Sequence, residues 1–337
     1  MDNLYYIVKK RAYELAQCAV EEQYKLQPAW SAYGSVGYTR AIEDSRYHML
    51  MLASAYALNS PIMLKEYYEW LDILFSHLKL PGNSAFESIR TAAKIIDTKL
   101  RLNSTMQSFF ASASKDSGKQ LIKPSTDITV TAEAQTYYTY IKRNERLQAI
   151  RYISELYKKG MQVIDIYTTI FIPIQMLVGT LWHEGKITVA EEHYCTAVTQ
   201  VALATLYQYF FSGEKKEKTL IATCISGELH ELPIRFLADV FEMHDWTTHY
   251  YGASTPLSAL IEEIEKHKPS LICISATMPF YVPEITEYIT TIRAITATPI
   301  FIGGRPFSVD PELYKRVGAD ATAPNALVAL ELANTLV

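Results

Sequence analysis

Past residue 218 the chain changes its period, and that change restricts the fold more than any other feature of it. Apolar strands are expected at 219–225, 246–251, 270–275 and 298–302, with a short fifth near 319–321. Amphipathic helices are expected between and after them, at 233–244, 256–267, 281–293, 309–316 and 325–336. Strand, helix and strand in succession make a parallel sheet with helices on both faces. A five-stranded, doubly wound, Rossmann-like domain is therefore expected over 219–337. Open sheets of this kind take their ligands at the carboxyl ends of the strands.

The 337-residue chain has room for more than one domain. Residues 1–111 show helical spacing and no strand signal, and read as an all-α unit with a loop at 27–37. A polar, turn-rich linker is expected at 112–128 and a charged one at 212–218. Between them, 129–211 carries four helical segments with short connections, at about 129–142, 145–159, 161–180 and 188–211, which suggests a four-helix bundle. The fold class is thus multidomain, α followed by α/β.

A net charge of −4 gives no basic footprint for nucleic acid. The apolar run from Tyr167 to Trp182 is broken by Pro173 and Gln175 and reads as too short for a bilayer. Four scattered cysteines, Cys18, Cys195, Cys224 and Cys273, show no metal spacing and fit a reducing cytoplasm. No nucleophile–base pair or carboxylate dyad is evident, so no standalone catalysis is expected.

Three features fall on the carboxyl edge of the expected sheet. Gly227-Glu228-Leu229-His230-Glu231-Leu232-Pro233 follows the first strand and presents an imidazole, with Glu228 placed to orient it from behind. Ser275-Ala-Thr277 ends the third strand with hydroxyls. Gly303-Gly304-Arg305 ends the fourth with paired glycines, which let a bulky planar group approach the backbone. Neither Gly-x-Gly-x-x-Gly after the first strand nor a P-loop lysine motif is present. Forty-one residues separate Pro233 from Ser275, and twenty-five separate Thr277 from Gly303.

This pattern resembles the cobalamin-binding domain, whose motif runs Asp-x-His-x-x-Gly, then Ser-x-Leu, then Gly-Gly. The resemblance implies cobalamin as cofactor, with His230 as the lower axial ligand of cobalt. It implies that Ser275 and Gly303-Gly304 line the channel for the cofactor's nucleotide tail. Glu228 stands in place of Asp, Thr277 in place of Leu, and Pro233 in place of Gly. In the bundle, Trp182-His183 is followed at family spacing by Val189 and Glu192-His193. That motif resembles the upper-face motif of the CarH-type cobalamin photoreceptors. It implies adenosylcobalamin, with Trp182 beside the adenosyl group and His183 able to take the upper position on cobalt after photolysis.

Residues 1–111 resemble no part of that group's DNA-binding module. The helix Arg40 to Tyr56 echoes the chromophore helix of globin-like phycobiliproteins, without an attachment cysteine. A helical module joined to a cobalamin photoreceptor resembles the photocobilins. That implies a non-covalent bilin such as biliverdin, with Arg46 and His48 as contacts. The other reading of 1–111 is a dimerisation or partner-docking bundle. Two functions follow: a light sensor acting through a homo-oligomer or a downstream signalling protein, or a corrinoid methyl carrier of a methyltransferase system.

Overall fold

The computed structural model describes residues 2–115, 128–210 and 217–337. The linker expected at 112–128 lies outside the described residues from 116 to 127, and helix α5 runs on through Lys115. The second linker, at 212–218, lies outside them from 212 to 216, and Lys218 already belongs to a strand.

Five helices build the N-terminal unit: α1 (Asp2–Leu26), α2 (Gly34–Ala57), α3 (Pro61–His77), α4 (Ser84–Leu100) and α5 (Thr105–Lys115). The loop expected at 27–37 is largely helical. Pro28–Tyr33 forms a 3-10 turn and α2 begins at Gly34. Pro28 and Pro61 each sit in a first turn, where the missing N–H costs nothing. The start of α5 is fixed by buried Asp97, which accepts the amides of Met106 (2.8 Å) and Gln107 (3.0 Å).

The bundle follows as expected: α6 (Ala132–Lys142), α7 (Arg146–Lys158), α8 (Val163–His183) and α9 (Val189–Leu206). A capping box between Thr188 and Glu191 starts α9. Helix α8 contains a π-helical turn over Tyr167–Phe171. Its cause is Pro173: with one N–H missing the ladder slips, and the Ile172 amide bonds back five residues to Tyr167 O. At 21 residues α8 is long and apolar enough to cross a membrane, more than its interrupted sequence suggested. In this fold Ile166, Ile170, Phe171, Ile174 and Val178 are fully buried in the bundle core.

The C-terminal sheet has four strands, not five. These are β1 (Lys218–Ile225), β2 (Trp246–Thr255), β3 (Leu271–Ser275) and β4 (Ile300–Gly303), all parallel, in the order β2-β1-β3-β4. The expected fifth strand at 319–321 is reduced to one bridge, Phe301 to Ala321. Polar Asp320 is the reason: its carboxylate turns back to accept the Ile300 amide (2.6 Å) and an Arg293 guanidinium N–H. Crossover helices are α10 (Leu232–Met243), α11 (Leu257–His267) and α12 (Val282–Arg293). The helix expected at 309–316 is split into α13 (Arg305–Val309) and α14 (Leu313–Val317), before α15 (Ala326–Leu336).

Buried side chains form three clusters. One joins the N-terminal helices to one face of the sheet, through residues such as Leu52 and Ile89 on one side and Ile272 and Ile285 on the other. A second fills the bundle and extends onto α10 through Leu232 and Phe236. The third lies on the other sheet face. Strand order reverses between β1 and β3, so the crevice opens beyond Ile225 and Ser275.

Candidate functional site

Glu228 anchors the crevice. Its side chain is 0% exposed, yet it carries a carboxylate, and the loops around it supply the hydrogen bonds that burial demands. Oε1 accepts the His230 amide (2.9 Å) and His230 Nδ1–H (2.5 Å). Oε2 accepts the amides of Thr277 (2.7 Å) and Met278 (2.8 Å). Burial pushes the carboxyl's pKa up, and these bonds outweigh it, leaving the group below the ordinary carboxylate range. One side chain therefore ties the loop after β1 to the loop after β3. The substitution of Glu for Asp supplies the extra reach that spans them.

The same bonds fix His230. With Nδ1 donating to Glu228, the neutral ring carries its lone pair on Nε2, and the side chain is 55% exposed. The hydrogen bond to Glu228 also raises the imidazole's pKa, against burial, and the charge of Glu192 adds to the rise. Glu192 belongs to α9 of the bundle, and Gln200 of the same helix bonds Glu231 next to His230 (3.0 Å), so α9 adjoins this loop. Pro233 lies in the first turn of α10, where no helical bond is lost.

At the fourth strand the two glycines do different things. Gly304 has φ of 116°, and a Cβ there would lie 2.1 Å from Ala276 O, so only glycine fits. A Cβ on Gly303 would meet nothing within 4 Å. Ser275 is the register partner of Gly303, so its buried side chain and that open space adjoin.

In the bundle, Glu192 accepts from Thr196 (3.1 Å) and pairs with exposed His193 (2.5 Å). Val189 is exposed at the head of α9. Trp182 and His183 face the N-terminal unit. The His183 ring stacks on Trp70 with centroids 4.9 Å apart and planes 3° from parallel, and its Nε2–H donates to Trp70 O (2.8 Å). Trp182 lies 6.2 Å from the same indole. His183, which the resemblance offers as an upper cobalt ligand after photolysis, has its Nε2 engaged by Trp70 O in this structure.

Arg46 and His48 are not gathered around a chromophore-sized space. Arg46 lies over the Tyr47 ring at the surface. His48 is buried against Tyr67 (2.7 Å) and Phe75, which pushes its pKa down to about 4. The cavity beside it measures about 10 Å³, room for about one water.

Three contributors carry no sequence signal as site residues. Met278 acts through its backbone. Trp70 comes from a distant segment. Glu231 was legible only as a charge in the loop. Its Oε1 accepts from Gln200 of α9 (3.0 Å) and its Oε2 from Tyr250 (3.1 Å) and the Ala253 amide (3.2 Å). Glu231 is thereby a clasp between bundle and sheet.

A lone imidazole is a poor site for a bare metal ion. Among the described residues no group of three or more His, Cys, Asp or Glu could hold one. The arrangement suits a metal that arrives already chelated in a macrocycle: one axial nitrogen with a carboxylate behind it, apolar Leu229 (74% exposed) at its side, and room at Gly303 for an appended group.

Comparison with known proteins agrees. Residues 218–331 match a family described as B12 binding domain, and residues 134–207 match a second family of the same description. These two segments are B12-binding domains. Both B12-binding matches lie outside residues 1–115, and a globin-like kinship for that unit is not shown. No curated protein matches the chain. Among solved structures, the Methanosarcina barkeri monomethylamine corrinoid protein aligns with a TM-score of 0.55 at 19% identity, over 61% of this chain and 98% of its own. That likeness concerns the fold alone. A cobalamin-binding protein of Desulfitobacterium hafniense DCB-2 aligns at 17% identity over 62% and 100% of the two chains, with a TM-score of 0.35. The methanol:cobalamin methyltransferase complex of M. barkeri aligns at 14% over 60% and 78%, with a TM-score of 0.34. Neither of these last two carries weight here.

Proposed function

We propose that this protein binds cobalamin with His230 as lower axial ligand and acts as a cytoplasmic light sensor without catalytic activity of its own. The observation that carries the cobalamin site is the Glu228–His230 pair, which presents one basic Nε2 at the mouth of a B12-binding sheet. Adenosylcobalamin, when bound, supplies a cobalt–carbon bond that visible light cleaves. The protein's own residues do the rest. Glu228 holds the imidazole, Gly303 leaves room for the tail, and α9 is fastened to the same loop through Gln200 and Glu231. The upper-face motif supports the sensor reading: Trp182 joins the bundle to an N-terminal unit that also packs against the sheet. A change in bundle packing is thereby passed to that unit and outward to an oligomer or a signalling partner.

The test is the absorption spectrum and the elution volume of the adenosylcobalamin-loaded protein before and after illumination. A spectral change accompanied by a change in elution supports the sensor. Cleavage of the bond with unchanged elution overturns it.

The second reading is a corrinoid methyl carrier, favoured by the fold likeness to the monomethylamine corrinoid protein. Preferential uptake of methylcobalamin in the dark, with the methyl group passed on to an acceptor, would select it. A far-red band that persists after cobalamin is removed would show a bilin on the N-terminal unit, which the water-sized cavity at His48 disfavours.

A further inference from the structure

We infer that Trp70, on the N-terminal unit, is a positioning residue of the cobalamin site and sets how well the protein holds a corrinoid with a bulky upper group. The inference rests on the cobalamin reading above. Trp182 and His183 end helix α8, and the chain resumes only six residues later as α9, whose Gln200 bonds Glu231 beside His230. Whatever fixes Trp182 therefore fixes the end of the bundle nearest the start of α9, the roof of the site in the cobalamin reading. Helix α3 of the N-terminal unit does so. The Trp70 indole stacks flat on His183 and lies 6.2 Å from Trp182. Trp70 O accepts from the His183 ring (2.8 Å), and His77 Nδ1–H donates to His183 O (3.2 Å). Tyr67 lies nearly parallel to Trp70, one turn back, at 6.3 Å.

One turn earlier, the same helix grips the sheet. Glu66, four residues before Trp70 and so on the same face, accepts from Arg305 Nε (2.7 Å) and from its NH2 group. Arg305 directly follows Gly303-Gly304. Ser60, just ahead of α3, donates to Asp310 (2.5 Å). The 3-10 turn after β3 is held from α1 and α2: Tyr5 donates to Phe280 O (2.8 Å), and Tyr47 packs on the Phe280 ring. One helix thus joins the end of α8 to the loop after β4 across a single turn and sets the gap between them. A helix is stiff along its axis, so the gap is decided before any ligand enters. A roof held in place loses less freedom on packing against a large upper group, which is how pre-organisation strengthens binding.

The test is binding of adenosylcobalamin and of hydroxocobalamin to the full-length wild type, Trp70→Ala and Trp70→Phe, read by the shift of the corrinoid spectrum in the dark. In Trp70→Ala, adenosylcobalamin affinity should fall at least about fivefold, while hydroxocobalamin affinity, with no bulky group for Trp182 to cover, should change less than about twofold. Trp70→Phe, which keeps an aromatic face for His183, should recover part of the loss. Equal losses for both corrinoids would reduce Trp70 to a general structural role and overturn the inference, as would no loss for either. Should the alanine variant not fold, the phenylalanine variant alone must still show a larger loss for the adenosyl form. A wild type that takes up neither corrinoid would instead defeat the cobalamin reading itself, and the two failures are told apart by the wild-type spectrum.

Discussion

At the residue scale the site turns on one carboxylate and one imidazole. Removing the ligand by His230→Ala should weaken cobalamin uptake and abolish the spectrum of nitrogen-ligated corrinoid. Glu228→Gln keeps the shape but removes the charge that backs the ring, and should cost about 10–100-fold in affinity, as changes behind metal ligands do. Equilibrium dialysis with hydroxocobalamin checks both; a glutamine variant binding as the wild type would remove Glu228 from the site. The glycines give a sharper contrast. Gly303→Val places its side chain where a Cβ meets nothing within 4 Å, so it should fold normally and lose cobalamin. Gly304→Ala drives a Cβ onto Ala276 O in a left-handed conformation, and should destabilise the fold by on the order of 2–4 kcal/mol whether or not ligand is present. Thermal melts with binding assays separate the two. That His230, Ser275 and Gly303-Gly304 share the carboxyl edge of the sheet was legible from the strand pattern, and a common role for them only through the resemblance. Met278 was not, because an amide N–H looks the same in every sequence. Pro233, a departure from the motif, sits in a helix's first turn, where its missing N–H breaks no helical bond.

At the element scale the bundle is fastened to α10 by Tyr167, which the π-turn of α8 presents to Asp239 (2.9 Å). Burial pushes Asp239 up to about 6, against the pull of Arg235 and the Tyr167 hydroxyl. A carboxyl whose folded pKa lies above its unfolded value binds more protons when folded, so its contribution to stability falls as pH rises from about 4 to about 6. Relative to Asp239→Asn, the wild type should be equally stable near the low end of that window. It should become less stable by on the order of 1–3 kcal/mol at neutral pH. Denaturant titrations of both proteins across that range measure it, and a difference independent of pH would show that Asp239 stays ionised throughout. Most of the helices were readable from apolar spacing, since packing enforces it. The failures share a cause: tertiary bonds decided them. Asp320 spends its carboxylate on Ile300 and ends the sheet at four strands, and Asp97 starts an α5 that no local pattern announces.

At the scale of the whole molecule, the N-terminal unit and one face of the sheet share a single apolar core, whereas the bundle has its own. The apo-protein should therefore unfold its N-terminal helices and its sheet in one transition, with the bundle able to open separately. Hydrogen exchange should give residues 2–115 and the central strands the same slowest opening free energy. N-terminal amides that exchange through an independent route would contradict this. No sequence pattern reveals the shared core, because the apolar face of a helix does not say which neighbour it will meet. The fastening of α3 to both halves has a consequence for anyone who would rebuild the protein. Residues 1–115 are not a detachable cassette. A chimera that transplants them onto another cobalamin module must bring along the counterparts of Trp182, Phe280 and Arg305 on the recipient, or the graft will sit beside the cofactor's house without sharing a wall with it.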